Sequence, residues 1–179
     1  NTNYNLQLTR TQIVDFFTVT NGGGSFVTKP TIELVGGGGS GAVMDAIIDN
    51  EVIQAITVAN PGRGYSSTPS VQARITHSFT PLQSNSTLNF PYDTKIPTGT
   101  KVELVEVDGT LPAPLNATTI YYAIGPTVAN GLASNQLKMA TTLSNALTGT
   151  AITITSPPSI GNGGTATFNL TTTDLGDSI

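Results

Sequence analysis

Val19-Thr20-Asn21-Gly22-Gly23-Gly24-Ser25-Phe26-Val27-Thr28-Lys29-Pro30-Thr31-Ile32-Glu33 is written a second time, 39 residues on, as Val58-Ala59-Asn60-Pro61-Gly62-Arg63-Gly64-Tyr65-Ser66-Ser67-Thr68-Pro69-Ser70-Val71-Gln72. Without gaps the phrases share Val19/Val58, Asn21/Asn60, Gly23/Gly62, Phe26/Tyr65, Pro30/Pro69 and Ile32/Val71. Self-similarity at a fixed offset is the mark of a duplicated structural unit. In each copy a run of β-formers enters a glycine turn, where φ > 0 costs nothing, and an aromatic follows that reads as a plug over the turn. Pro30 and Pro69 have no amide to donate, so each is expected to open an edge strand, over 31–35 or 70–75.

Working outward, Ile13 to Thr20 leads into the first copy and Val52 to Ala59 into the second. Residues 1–12 are polar apart from Tyr4, Leu6 and Leu8 spaced by two, which suits an extended N-terminal arm received by another surface. Between the copies, 42–48 and 52–58 flank Asp49-Asn50-Glu51 and read as a hairpin with a polar turn. Apolar residues on both sides of the alternation in 42–48 point to burial on both faces or at a subunit contact. Residues 13–77 are thus expected to form a glycine-rich duplicated β module.

Pro81, Ser84, Asn85, Ser86, Asn89 and Pro91 gather in 78–91, which reads as a linker. Residues 92–170 then show strand candidates at 101–107, 120–124, 136–141, 151–155 and 165–170, with one or two helical turns at 142–147. Such short spacing predicts a small antiparallel barrel or sandwich. A polar tail closes the chain at 171–179. The fold class expected is all-β, in two small β modules.

A chain of 179 residues is long enough to own a core. Only 10% of its residues are charged, and the net charge is −4. Seven scattered basic residues argue against nucleic acid, which demands clustered Lys and Arg. The absence of cysteine removes disulfides, thiolate metal sites and thiol nucleophiles. No apolar run reaches the ~20 residues of a membrane span, so no membrane partner is expected.

Several constellations invite chemistry and have a plainer reading. Gly36, Gly38 and Gly41 match Gly-x-Gly-x-x-Gly, yet strand periodicity follows where a phosphate-binding loop needs a helix, so a structural loop is expected. Asp45, Asp49 and Glu51 cluster without the spacing of a calcium loop and read as a solvated hairpin end. Glu103, Glu106 and Asp108 resemble a glycosidase acid pair only in being acids on one strand. His77, the sole histidine, builds no metal site alone and reads as a linker residue. Asn85-Ser86-Thr87, Asn116-Ala117-Thr118 and Asn169-Leu170-Thr171 fit the glycosylation acceptor pattern, which chance explains in so Asn- and Thr-rich a chain. No catalytic residue, metal or cofactor is expected. Phe26, Tyr65, Tyr92, Tyr121 and Tyr122 are candidates for stacking on sugar, against a plainer role as turn or core plugs.

Gly64-Tyr65-Ser66-Ser67-Thr68-Pro69-Ser70-Val71, the glycine run Gly36 to Ala42, and the hairpin at 42–58 together resemble the glycine-rich repeats of tailed-bacteriophage virion proteins. Thr98-Gly99, Gly109-Thr110-Leu111-Pro112-Ala113, Tyr121-Tyr122-Ala123-Ile124, Leu137-Lys138-Met139-Ala140-Thr141 and Gly149-Thr150-Ala151-Ile152 are similar to a β module of the same class. The resemblance implies a non-enzymatic virion component, assembled in the host cytoplasm. A capsid decoration or cement protein is expected, contacting other virion proteins and associating as a homo-oligomer, with a trimer favoured. The alternative is a tail fibre or spike segment with a glycan partner. The interaction surface expected comprises Tyr4, Leu6, Leu8, Phe26, Tyr65, Tyr121 and Tyr122.

Overall fold

The duplication in the sequence is a duplication of structure. A computed structural model describes residues 3–8, 12–24, 26–160 and 166–173, whose regular secondary structure is almost wholly β-strand. Strand β1 (Asn3–Leu8) pairs antiparallel with β2 (Val14–Asn21), and β4 (Ser40–Asp49) pairs antiparallel with β5 (Val52–Arg63). Both hairpins break register twice. The breaks fall at Asn3/Tyr4 and Gln7/Leu8 in the first, and at the corresponding Val43/Met44 and Ile47/Ile48 in the second. Leu6 faces Phe17 as Ala46 faces Ile56, so the hairpin end of the second copy is one residue shorter. There Asn50 and Glu51 both take positive φ (50° and 63°), the conformation a tight two-residue hairpin requires.

Strand β3 (Thr31–Val35) pairs antiparallel with the first half of β6 (Ser70–Leu82), from Thr31 opposite Arg74 to Val35 opposite Ser70. These elements make one compact unit up to Ile75, and a second unit spans Thr76–Thr172. In β4 only one side of the alternation turns inward. Ala46 is buried and Ala42, Met44 and Ile48 are half-buried, while Val43 and Ile47 are exposed. Of the two expectations for 42–48, burial on both faces within the chain is corrected here, because β4 and β5 form a two-stranded sheet with a single packed face.

The second unit is a six-stranded antiparallel barrel. The later half of β6, β7 (Thr87–Asn89), β10 (Gln136–Ala140), β9 (Ile120–Ile124), β8 (Lys101–Asp108) and β11 (Thr167–Thr173) follow one another around it, and β11 closes on β6. Side-chain bonds mark the closing seam: Thr76 Oγ1 lies 3.3 Å from Thr171 Oγ1, and Ser78 Oγ donates to Asn169 Oδ1 at 2.9 Å. Inward residues alternate along each strand and fill the interior, among them Phe79, Leu88, Leu104, Leu137 and Phe168. Phe79 stacks on Phe168 with ring centroids 5.8 Å apart. Helix α1 (Leu143–Leu147) is capped by Thr142, whose Oγ1 accepts from the Asn145 amide at 3.1 Å, and its Ala146 packs with Ile124 and Ala140.

The stretch 78–91, expected as a linker, is part of the barrel. Thr80 to Leu82 pairs with Thr87 to Asn89 around a short 3₁₀ turn at Gln83–Asn85. The Ser, Asn and Pro residues that suggested a linker make the turn and its flanks, and Phe79, Leu88 and Phe90 on either side are buried. The expected strand at 151–155 belongs to no ladder. Its amides go to three different partners: Ile152 to Met139 O, Ile154 to Ser86 Oγ and Thr155 to Ala113 O. The expected tail begins inside β11, whose Thr171 and Thr172 carry the pairing with β8, and 174–179 lie outside the described residues.

Candidate interaction surface

The glycine turns of the two copies are built alike. A short Asn side chain folds back onto the chain two residues ahead, so Asn21 Oδ1 accepts from the Gly23 amide and Asn60 Oδ1 from the Gly62 amide, both at 3.0 Å. Gly23 and Gly62 take φ of 66° and 63°, where a Cβ would be strained. The aromatics that follow are then held by the opposite copy. The Phe26 amide donates to Glu51 O and the Tyr65 amide to Gln12 O, each at 3.1 Å. Gln12 and Glu51 are themselves counterparts, 39 residues apart with φ of 57° and 63°. Each copy's plug is therefore clamped by the other copy's hairpin end.

Both rings are interior, Phe26 2% exposed and Tyr65 3%. Tyr65 packs with Val14 among Phe17, Leu34, Ala42, Val58 and Val71. The loop from Gly36 to Gly41 roofs this cluster. Gly37 O accepts from the Ser66 amide at 2.8 Å, and Gly39 lies so close to the Tyr65 ring that a Cβ there would stand 2.5 Å from Cγ. Its glycines serve close packing and chain reversal, in keeping with a structural loop.

The seven residues expected at the interaction surface are not brought together as one. Phe26, Tyr65 and Tyr121 are core residues, a correction with a simple cause: an aromatic beside a glycine turn or on a barrel strand is the largest apolar body available to fill the space behind it. The Tyr121 hydroxyl accepts from the Asn116 amide at 3.0 Å. Tyr122, on the other face of β9, is half-buried against the Ile124, Ala140 and Ala146 cluster. Tyr4, Leu6 and Leu8 stand in β1 opposite Val19, Phe17 and Val14, so that part of the expected arm is received by the chain's own β2; their side chains lie outside the described residues.

The carboxylates of interest are dispersed. Asp45 pairs with Lys29 at 2.6 Å on the exposed face of β4, and Asp49 Oδ2 accepts from Asn50 Nδ2 at 3.4 Å. Glu103 and Glu106, three apart on β8, project to opposite faces, and Glu106 Oε1 accepts from the Leu111 amide at 2.7 Å. His77 is no linker residue. It is wholly buried on the inner side of β6, with Nδ1 3.1 Å from Tyr92 Oη and the Phe90 ring edge-on at 6.2 Å. Its Nε2 meets no polar partner among the described residues, and desolvation lowers its pKa from 6.5 to about 4.

The surfaces left apolar are elsewhere. Val43 (54% exposed) and Ile47 (49%) stand on the outer face of β4. On the barrel, Val105 and Val107 of β8 and Ile120 of β9 are exposed, with Ile120 paired to Glu103. The strand alternation contains these positions, but only the sheet order reveals which side is uncovered. No protein-family model, curated protein or solved structure matches the chain.

Proposed function

We propose that this chain is a structural component of a tailed-phage virion, of the capsid decoration or cement kind, that works by protein–protein contact and not by catalysis. The observation that carries the reading is the pair of outward apolar faces, Val43 with Ile47 on β4 and Val105, Val107 and Ile120 on the barrel. In a chain with 10% charged residues, such faces suit burial against a lattice or a further copy better than free exposure to water. The repeat motifs that resemble virion proteins support the same assignment. Association through these faces gives a closed homo-oligomer, with a trimer favoured.

The test is cosedimentation of the purified chain with phage capsid shells, alongside sedimentation velocity of the chain alone. Binding and self-association that fall when Val43 and Ile47, or Val105 and Val107, are changed to Ser support the proposal. A monomer that leaves the shells bare sinks it. The glycan partner of the tail-fibre alternative draws on aromatic stacking, and the burial of Phe26, Tyr65 and Tyr121 removes three of the five candidate rings.

A further inference from the structure

On the barrel wall, β6 turns Ser78 and Thr80 outward, and Thr80 sits in register with Asn89 of β7. With Thr167 at the start of β11 and the apolar flanks of Phe90, Pro91 and Ala166, these residues line an open cavity of about 420 Å³. That volume is within the range of small-ligand sites. The lining polar groups are set in direction. Gln136 Nε2 donates to Asn89 Oδ1 at 2.8 Å, which leaves the Asn89 Nδ2 hydrogens for a ligand. Ser78 Oγ spends its proton on Asn169 and keeps its lone pairs, while the Thr80 and Thr167 hydroxyls have no partner among the described residues.

We propose that this groove binds a neutral carbohydrate. No Asp, Glu, Lys, Arg or His among the described residues lines it, so a phosphate, carboxylate or amine would enter without a counter-charge from them. Strands β6, β7 and β11 are each paired on both sides, so no free strand edge receives an extended peptide. What the walls offer is one amide donor, three hydroxyls and a small apolar floor. A sugar ring, with hydroxyls around its rim and an apolar C–H face, complements that set. The inference rests on the barrel alone and is independent of the virion reading.

Saturation-transfer NMR on the intact chain, with maltose, N,N′-diacetylchitobiose, mannobiose and lactose as probes, tests it. Glucuronic acid and a Gly-Ser peptide serve as controls. At least one neutral disaccharide is expected to bind, and Thr80→Val and Asn89→Asp are each expected to weaken that binding about fivefold or more, the share of one hydrogen bond. Thr80→Val keeps a β-branched residue on the strand, and Asn89→Asp keeps the oxygen that Gln136 holds. Circular dichroism melts of both variants establish that they fold. Absence of transfer from all four sugars to the folded chain, binding that survives both substitutions, or preferential binding of the peptide overturns the proposal.

Discussion

Glu33 and Gln72 face each other at the middle of the β3–β6 pairing, and they hold the same position in the two copies of the repeat. An antiparallel register centred on such a pair exchanges the strand ends, so Thr31 meets Arg74 while Val35 meets Ser70. This is the geometry of an isologous contact, built within one chain. The clamping of Phe26 by Glu51 O and of Tyr65 by Gln12 O is accordingly one interaction seen from its two sides. The side chains do not keep the symmetry throughout. Arg74 reaches Glu33 at 3.6 Å, whereas its counterpart Val35 can form no ion pair.

The equivalence predicts that the two turns fail alike. Asn21→Ala and Asn60→Ala each remove one 3.0 Å bond to a glycine amide, and each is expected to destabilise the chain by about 1 kcal/mol. Urea titrations of the two variants should give midpoints close to each other. A large loss at one position and none at the other would show that the turns are alike in shape but not in weight.

The plugs are expected to dominate the stability of the repeat unit. Phe26→Ala and Tyr65→Ala each open a void in a buried cluster and should cost ~3–5 kcal/mol. Tyr65→Phe keeps the ring and should cost well under ~1.5 kcal/mol. Gly39→Ala drives a methyl into the Tyr65 ring and should cost ~1–3 kcal/mol. If the costs of Gly39→Ala and Tyr65→Ala add fully in the double variant, the contact between loop and ring carries no energy.

How much of this was legible in the sequence depended on what each residue pattern could discriminate. The strands at Thr31–Val35 and Ile120–Ile124 were readable with their bounds, because β-branched and aromatic runs there end at unmistakable turn residues. The plug role of Phe26 and Tyr65 followed from aligning the copies. Pro81, Ser84, Asn85 and Ser86, by contrast, suit a linker and a tight hairpin end equally well. The deciding signal was the apolar alternation flanking them, at Phe79 and Pro81 on one side and at Leu88 and Phe90 on the other. For adjacent Tyr121 and Tyr122, alternation requires opposite faces but does not say which face is the core. Nor does it say that the outer side of β4 has no covering layer. The cavity beside Asn89 combines residues from both ends of the barrel sequence, a proximity that exists only once β11 closes on β6.

His77 makes stability depend on pH. Its folded-state pKa of about 4 lies below the 6.5 of the free side chain, so the unfolded chain takes up a proton more readily in the interval between them. The stability tied to the neutral ring is therefore complete above pH 6.5 and is lost as the pH falls toward 4, by as much as ~3 kcal/mol. Urea midpoints of wild type and His77→Leu, measured down the pH scale, isolate the effect, because titrating carboxylates contribute equally to both. The advantage of wild type over the variant should shrink on acidification, and a constant difference would contradict a buried neutral histidine.

The closed order of the barrel predicts where the chain can and cannot be cut. A fragment beginning at Tyr92, the start suggested by reading 78–91 as a linker, lacks β6 and β7 and with them Phe79 and Leu88, two buried residues of the interior. It also leaves β10 and β11 with open edges, since β7 and β6 are their barrel neighbours. Such a fragment should show collapsed amide dispersion in a proton–nitrogen correlation spectrum and should aggregate. A fragment spanning 76–173 retains all six staves, and its spectrum should be dispersed. Leu88→Ala in the full chain, costing ~2–5 kcal/mol, should weaken the barrel in the same sense. A well-dispersed spectrum from the shorter fragment would mean that β8, β9, β10 and β11 suffice for a core, and that β6 and β7 cover the barrel without completing it.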